Sequence, residues 1–381
     1  MSEPFTTPEP DGAVPPPRPG NAPGGDGGTT ERSPKAPAEH DPFRPVGDPE
    51  LSEGPKAPTS EAWGGSAGDR LPHDTGAAPA LVIGEALVDI VERPGEEPSE
   101  HPGGSPANVA VGLARLGRDV ELVSWFGSDA HGALLRSHLE LEEVRLSPAS
   151  ARASRTSTAR ARLDDTGAAT YVFDLEWAPP EPDPGLEPLV LHTGSIAAVL
   201  EPGARTVAAT IERHRRHATI SYDPNVRPDL MEDRERTRRS VEHIVSASDV
   251  VKVSDEDLAW LFPDEDPLAV ARRWLTLGPA LVVVTRGAEG AWAGTAEGLE
   301  LGSPARAVEV VDTVGAGDSF TAGILDGLWG AGLLGADRRA ALRAVDAATL
   351  QRILDHAGRI AAITVSREGA NPPTRAELTV D

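Results

Sequence analysis

Asp318 stands in the run Asp312-Thr-Val-Gly-Ala-Gly-Asp-Ser-Phe-Thr-Ala-Gly323, where glycines flank a carboxylate at the point at which a strand hands over to a helix. Val308–Val311 reads as a short buried strand, and Phe320, Ile324 and Leu328 recur at helical spacing after it. Gly315 and Gly317 leave the loop bare of side chains. Backbone N–H groups can therefore approach an anion there, and the start of a helix adds a favourable dipole. A bound phosphate repels a carboxylate, so an acid beside it points to a chemical duty, most simply accepting a proton from an attacking hydroxyl. The plain alternative is a helix whose first turn carries an acidic residue. The chain holds neither a G-x-x-x-x-G-K-[ST] loop nor a G-x-G-x-x-G opening a first βαβ unit, which disfavours P-loop NTPases and dinucleotide enzymes.

The elements that must hold this loop are α/β in type. From residue 80 onward, short β-branched runs alternate with amphipathic stretches, as in a sheet covered on both faces. The pattern predicts strands over Leu81–Gly84, Val120–Trp125, Leu189–His192, Thr219–Tyr222, Val250–Val253 and Leu281–Thr285, besides Val308–Val311. Helices are predicted over Pro106–Leu116, Gly132–Glu143, Ala204–Arg216, Arg234–Ser246, Pro267–Leu277 and Ala336–Ala357. Ser105 suits the first of these as N-cap, with Pro106 in the first turn and Gly117 as the stop. Two segments break the rhythm. Ile90–Pro102 is an extended polar excursion, and Thr156–Leu163 with Ala169–Leu175 reads as a hairpin turning at Asp164–Gly167.

Composition narrows the function classes. Residues 1–79 hold 17 of the 36 prolines and little apolar periodicity, so they cannot offset the entropy of ordering and read as a disordered, acidic Pro/Gly-rich tail. The N-terminus lacks a basic region followed by an apolar core, which disfavours a secretory signal. A net charge of −24 argues against nucleic acid and anionic membranes as partners. No apolar run approaches the roughly 20 residues of a membrane span, and the absence of cysteine fits a reducing cytoplasm. The ten histidines include no H-x-x-x-H; His214 and His217 sit among arginines, and all ten read as structural or solvated rather than metal-binding.

Two runs about two hundred residues apart carry a family resemblance. Gly103-Gly-Ser-Pro-Ala-Asn-Val-Ala-Val-Gly-Leu-Ala-Arg-Leu-Gly117 and Asp312–Phe320 resemble the N- and C-terminal signatures of the ribokinase-like (phosphofructokinase-B, PfkB) carbohydrate kinases, in the family's order. The resemblance runs from about Leu81 to the C-terminus. It includes Gly84-Glu-Ala-Leu-Val-Asp89, Asp223-Pro-Asn-Val-Arg227, Val284-Thr-Arg-Gly-Ala-Glu-Gly290 and Ser366-Arg-Glu-Gly-Ala370. It implies a ribokinase-like three-layer α/β/α domain over residues 80–381, with a mostly parallel central sheet. The excursions at about 90–102 and 155–176 would form a small β lid over the sugar, through which such proteins often dimerise.

The implied reaction is transfer of the γ-phosphoryl group of ATP to a primary hydroxyl of a monosaccharide, with motifs closest to fructokinases. 2-Keto-3-deoxygluconate kinase, ribokinase and nucleoside kinase are the alternatives within the family, and a non-catalytic sugar or nucleotide sensor on the same fold is the alternative from a different class. By resemblance Asp318 is the general base, and Gly315, Ala316 and Gly317 hold the transferring phosphoryl group. Asp89, Gly103, Gly104 and Asn108 match sugar-binding positions; Thr285, Gly287, Gly290 and Asn225 match the nucleotide side. ATP and Mg²⁺ are the implied cofactors, and a monovalent cation is left open. Asp223, Glu256 and Asp257 are the metal-side candidates, although Ser254-Asp-Glu-Asp257 departs from the Asn-x-x-Glu of many relatives. Arg227 matches either a phosphate or acidic-sugar ligand or a solvated charge.

Overall fold

The computed structural model describes residues 78–164, 169–231 and 233–379. The tail, except Ala78 and Pro79, and most of the turn expected at Asp164–Gly167 lie outside the described residues. Strands β1 (Ala80–Ile83), β2 (Leu87–Glu92) and β3 (Ser99–Gly103) lead into α1 (Ser105–Arg115). There follow β4 (Val120–Val123), α2 (Ala130–Leu141), β5 (Arg145–Leu146), β6 (Thr158–Leu163) and β7 (Ala169–Asp174). The alternation then becomes regular through β8 (Val190–Gly194), α3 (Gly203–His214), β9 (Thr219–Asp223), α4 (Arg234–Ala247) and β10 (Val250–Ser254). It continues with α5 (Asp255–Leu261), α6 (Pro267–Leu275) and β11 (Leu281–Thr285). Strands β12 (Ala291–Thr295) and β13 (Glu300–Ser303) precede α7 (Ala316–Gly330), α8 (Arg339–Arg343) and α9 (Ala347–Val365).

Nine strands form the main sheet in the order β13-β12-β11-β10-β9-β8-β1-β4-β5. The run from β11 to β5 is parallel, and β12 and β13 extend it antiparallel. Alternation along each strand divides the core into two layers. Ala80, Val82 and Val250 pack with α1, α7 and α9, whereas Leu81, Ile83, Val251 and Val253 pack with residues of α3, α4, α5 and α6. Both faces are thus buried, which is why these strands read as continuous apolar runs. This is the expected three-layer α/β/α arrangement.

The two polar excursions pair with each other. They form a separate four-stranded sheet in the order β3-β2-β6-β7. Strands β2 and β3 are antiparallel, β2 and β6 parallel, and β6 and β7 an antiparallel hairpin in the register Thr158↔Asp174. On one face of this sheet Val88 and Ile90 of β2 are buried, whereas Val172, on the same face at the outer strand β7, is 47% exposed.

Helix α7 lies between α1 and α9, and small residues set the separation. A Cβ on Gly112 would sit 2.8 Å from that of Ala322, and one on Gly323 would sit 2.6 Å from Cα of Ala357. Larger residues would push α7 away and carry its first turn out of reach of α1.

Three local expectations need correction. Val308–Val311 is not a strand: Val308, Val310 and Val311 are exposed, and the N–H groups of Val311 and Asp312 donate to the Val365 carbonyl at the C-terminal end of α9 rather than into the sheet. A β-branched run in a connecting segment has the same pattern as a strand, so periodicity could not separate them. The helix expected over Ala336–Ala357 breaks into a 3₁₀ turn, α8 and α9, because Asp346 caps a new start by accepting from the Thr349 N–H. Ser105 does not cap α1. That position falls to Gly104, at φ 104°, and the Ser105 hydroxyl is used elsewhere.

Candidate active site

The carboxyl ends of β1, β8, β9, β10 and β11 share one edge of the parallel sheet, the edge at which open α/β folds bind ligands. Gly84, Asp223, Ser254 and Thr285 lie there. Across the cleft, α7 begins at Gly315, whose left-handed φ of 73° only glycine adopts without strain. A Cβ at Gly315 would also strike Ala370 at 2.6 Å, so the 366–370 loop packs directly against the start of α7. Asp312 ties the same loops together, its carboxylate accepting from the N–H groups of Val314 and Gly369.

Asp318 occupies the first turn of α7 and is 7% exposed. Ser105 Oγ donates to its Oδ1 at 2.6 Å, and Asn108 Nδ2 to its Oδ2 at 2.8 Å. Burial pushes its pKa up; the hydrogen bonds from Ser105 and Asn108 pull it down, Asp223 raises it and Lys252 lowers it. The two signature motifs therefore meet as one unit. The N-terminal motif supplies neutral donors that fix the carboxylate without a cation to lock it ionised.

Asp89 lies inside β2 of the small sheet, opposite His101. The half-buried carboxyl is pushed up to about 7, chiefly by desolvation, with Arg227 opposing and Asp318 adding to the shift. A Cβ on Gly103 would fall 2.0 Å from Asp89 Oδ2, so Gly103 is required by this carboxylate. Asp89, Gly103, Gly104 and Asn108 thus come together around Asp318. The expectation left out Glu85, buried and pushed up to about 7 by desolvation, which accepts from the Ala197 N–H at 3.3 Å.

On the other side, Asp223 ends β9 fully buried, and Lys252 Nζ donates to its Oδ2 at 3.0 Å. Asn225 follows with φ 37°, its N–H bonded to Asp223 Oδ1. Desolvation works against the charge of Lys252, but Asp223, Asp257 and Asp318 outweigh it and hold its pKa above the ordinary value. Asp257 forms a capping box with Ser254 at the start of α5, and its carboxylate accepts from the N–H groups of Val226 and Ser254. Glu256 is exposed. Among the described residues no three His, Cys, Asp or Glu side chains gather as a metal cluster, so Asp223, Glu256 and Asp257 are not brought together as one.

Thr285 ends β11, with Gly287 and Gly290 in the turn to β12. Gly287, at φ 48°, faces open space, while a Cβ on Gly290 would collide with the Ser303 carbonyl at 2.1 Å. Packing against Ser303 therefore accounts for Gly290, and the open approach is at Gly287. The sequence reading missed Lys252 and the partner of Ser105. A signal existed for the first, since a lone lysine interrupts the apolar run Val250–Val253.

Comparison with known proteins identifies the family. The model for the pfkB family of carbohydrate kinases matches residues 78–377. A fructokinase of Klebsiella pneumoniae is 37% identical over 256 residues, covering 65% of this chain and 83% of its own length. The solved fructokinase double mutant of Vibrio cholerae O395, bound to fructose, ADP and a potassium ion, has a TM-score of 0.65 at 27% identity, covering 79% of this chain and 97% of the other. Aminoimidazole riboside kinase of Salmonella enterica, complexed with aminoimidazole riboside and an ATP analogue, gives 0.64 at 25% identity, covering 79% and 98%. With both signature motifs converging on one buried carboxylate and a family model spanning nearly all of the described residues, the chain belongs to the pfkB family of carbohydrate kinases.

Proposed function

We propose that this ATP-dependent sugar kinase phosphorylates a primary hydroxyl of fructose, with Asp318 as general base. The observation that carries the chemistry is the placement of Asp318, buried in the first turn of α7 and held by Ser105 and Asn108 from the other signature motif. Its raised pKa makes it a stronger base than a free carboxylate. The sugar hydroxyl loses its proton to Asp318 as the new O–P bond forms. The N–H groups of Gly315 and Gly317 then face the transferring phosphoryl group, an electrostatic role that needs no side chain, while the Ala316 N–H donates to the Thr313 carbonyl at 3.2 Å and holds the turn. Asp89, in the small sheet, accepts from sugar hydroxyls, and Asn108 keeps the base and the sugar in one register.

For the nucleotide, Thr285, Gly287 and Asn225 lie along the same edge of the sheet, with the open approach at Gly287 and Gly290 shaping the turn by packing on Ser303. The donor set bears on the divalent ion. Asp257 has both oxygens engaged by backbone N–H groups and Asp223 is paired with Lys252, which fits Mg²⁺ held by nucleotide phosphates and water rather than by a protein cage. Asp223 and Asp257 would hold those waters, and the ion would offset phosphate charge. Fructose is favoured because the Klebsiella pneumoniae relative is a fructokinase and the Vibrio cholerae structure contains fructose. A coupled assay with ATP across fructose, ribose, 2-keto-3-deoxygluconate, tagatose and nucleosides tests this. Fructose is expected to give the highest kcat/KM, and a better substrate elsewhere in the panel would reassign the sugar.

A further inference from the structure

The chain has only three lysines, at 35, 56 and 252, among 36 basic Lys and Arg residues, so Lys252 is the sole lysine of the described region. Arginine is this sequence's habitual cation. A single lysine inside the buried strand β10 therefore needs a local reason. Its side chain is 6% exposed, and its Nζ lies 3.0 Å from Asp223 Oδ2. A Cβ placed on Gly317 would come within 2.8 Å of that same Nζ. Thr321, one turn further along α7, donates to the Gly317 carbonyl and lies 3.4 Å from Asp223 Oδ2, so the aspartate bridges the lysine and the helix. The ammonium is thus seated against the backbone of the first turn of α7, in a space that a planar guanidinium would overfill. Gly317 is needed to admit Lys252, a reason separate from leaving room for phosphate.

A counter-ion for Asp223 alone would not have to touch α7. Asp223, Asp257 and Asp318 already gather negative charge around this turn, and a phosphoryl group adds more. We propose that Lys252 is a positioning residue of phosphoryl transfer, a fixed internal cation that acts through the Gly317 backbone to set the phosphoryl-binding turn and to offset the charge that develops there. The proposal rests on the kinase reading of Asp318 and its loop. It asks Lys252 to touch neither sugar nor nucleotide. Its effect falls on the transition state more than on ground-state binding.

Lys252→Met keeps the apolar stem and deletes the charge. With fructose and ATP its kcat is expected to fall by about 10²-fold, the scale of losing one preorganised electrostatic group, while the sugar KM and the Kd for ADP move less than about fivefold. Lys252→Arg is expected to lose at least about tenfold, because the charge is kept and the shape is not. A folded Lys252→Met within about threefold of wild-type kcat overturns the proposal. If that variant does not fold, Asp223→Asn/Lys252→Met removes both buried charges and is compared with Asp223→Asn alone. A further loss of about tenfold or more supports the proposal; equal rates reduce Lys252 to a counter-ion and overturn it. Failure of the kinase reading looks different, since the wild type would then phosphorylate no sugar in the panel. In that event the readout is binding of ADP with aluminium fluoride, a mimic of the transferring group. Lys252→Met should weaken it about 10²-fold relative to ADP, and an unchanged ratio rejects the proposal.

Discussion

Helix α7 carries two buried carboxylates two turns apart, and they behave oppositely. Asp318 and Asp326 are 7% and 2% exposed, and each is tied to α1 or to the turn that follows it. The partners of Asp318 on α1 are a hydroxyl and an amide. Those of Asp326 are Arg118 at 2.7 Å, His356 at 2.7 Å and Arg375. Burial opposes ionisation in both. At Asp318 it wins and the pKa rises; at Asp326 the hydrogen bonds from His356 and Arg375 and the charges of Arg375 and Arg118 outweigh it and hold the carboxyl at about 2. The carboxylate proposed as the general base is held by neutral donors, whereas the one that clamps the 371–379 segment and α9 onto α7 is surrounded by cations.

The widest separation between the two should come from paired Asp→Asn changes. Asp318→Asn preserves shape but cannot accept the proton, so kcat should fall by about 10²–10⁴ with the Kd for ATP moving only a few-fold and no loss of thermal stability. Retention of more than about a tenth of wild-type kcat would remove Asp318 from the base role. Asp326→Asn should do the reverse. Denaturant unfolding is expected to show a loss of about 2–3 kcal/mol, less than for a fully buried pair because Arg375 and His356 are 28% and 25% exposed, while kcat of the folded enzyme stays within about threefold.

A smaller effect tests why the Asp318 partners are neutral. Ser105→Ala and Asn108→Ala each remove a hydrogen bond that lowers the Asp318 pKa. The base works unprotonated, so the acid limb of the kcat/KM profile should move to higher pH in both variants. An unmoved limb would detach the profile from Asp318.

The smallest expected effect is in stability against pH. The folded pKa of Asp326 is depressed, so its contribution is complete above its ordinary 3.8 and is lost as pH falls towards about 2. Asp89 is raised to about 7, so the folded state binds more protons than the unfolded one between its ordinary 3.8 and 7, and this stability is lost as pH rises. Thermal unfolding should therefore show its highest Tm on the acid side of neutrality and a steep fall below about pH 4. A Tm that rises steadily to pH 8 would contradict the opposing signs.

Much of this was readable before the fold was known. Leu281–Thr285 is a strand at the predicted bounds, and Phe320, Ile324 and Leu328 are buried on α7 as their spacing required. Short-range rules suffice there, since period and end signals are written within a dozen residues. Val308–Val311 shows the limit, because a β-branched run does not say whether a sheet edge is available to it.

What the sequence determined by itself is therefore local: the parallel α/β pattern, the glycine-flanked Asp318, and the two motifs whose pairing marks the family. Only the tertiary structure decided which residues face each other. Ser105 and Asn108 reach Asp318 across more than 200 positions because Gly112 and Ala322 let α1 and α7 close up, and Lys252 meets Gly317 because β10 lies beneath that turn. The pKa of each carboxylate follows from those meetings. Burial and partner charge are properties of the packed neighbourhood, and no spacing along the chain encodes them.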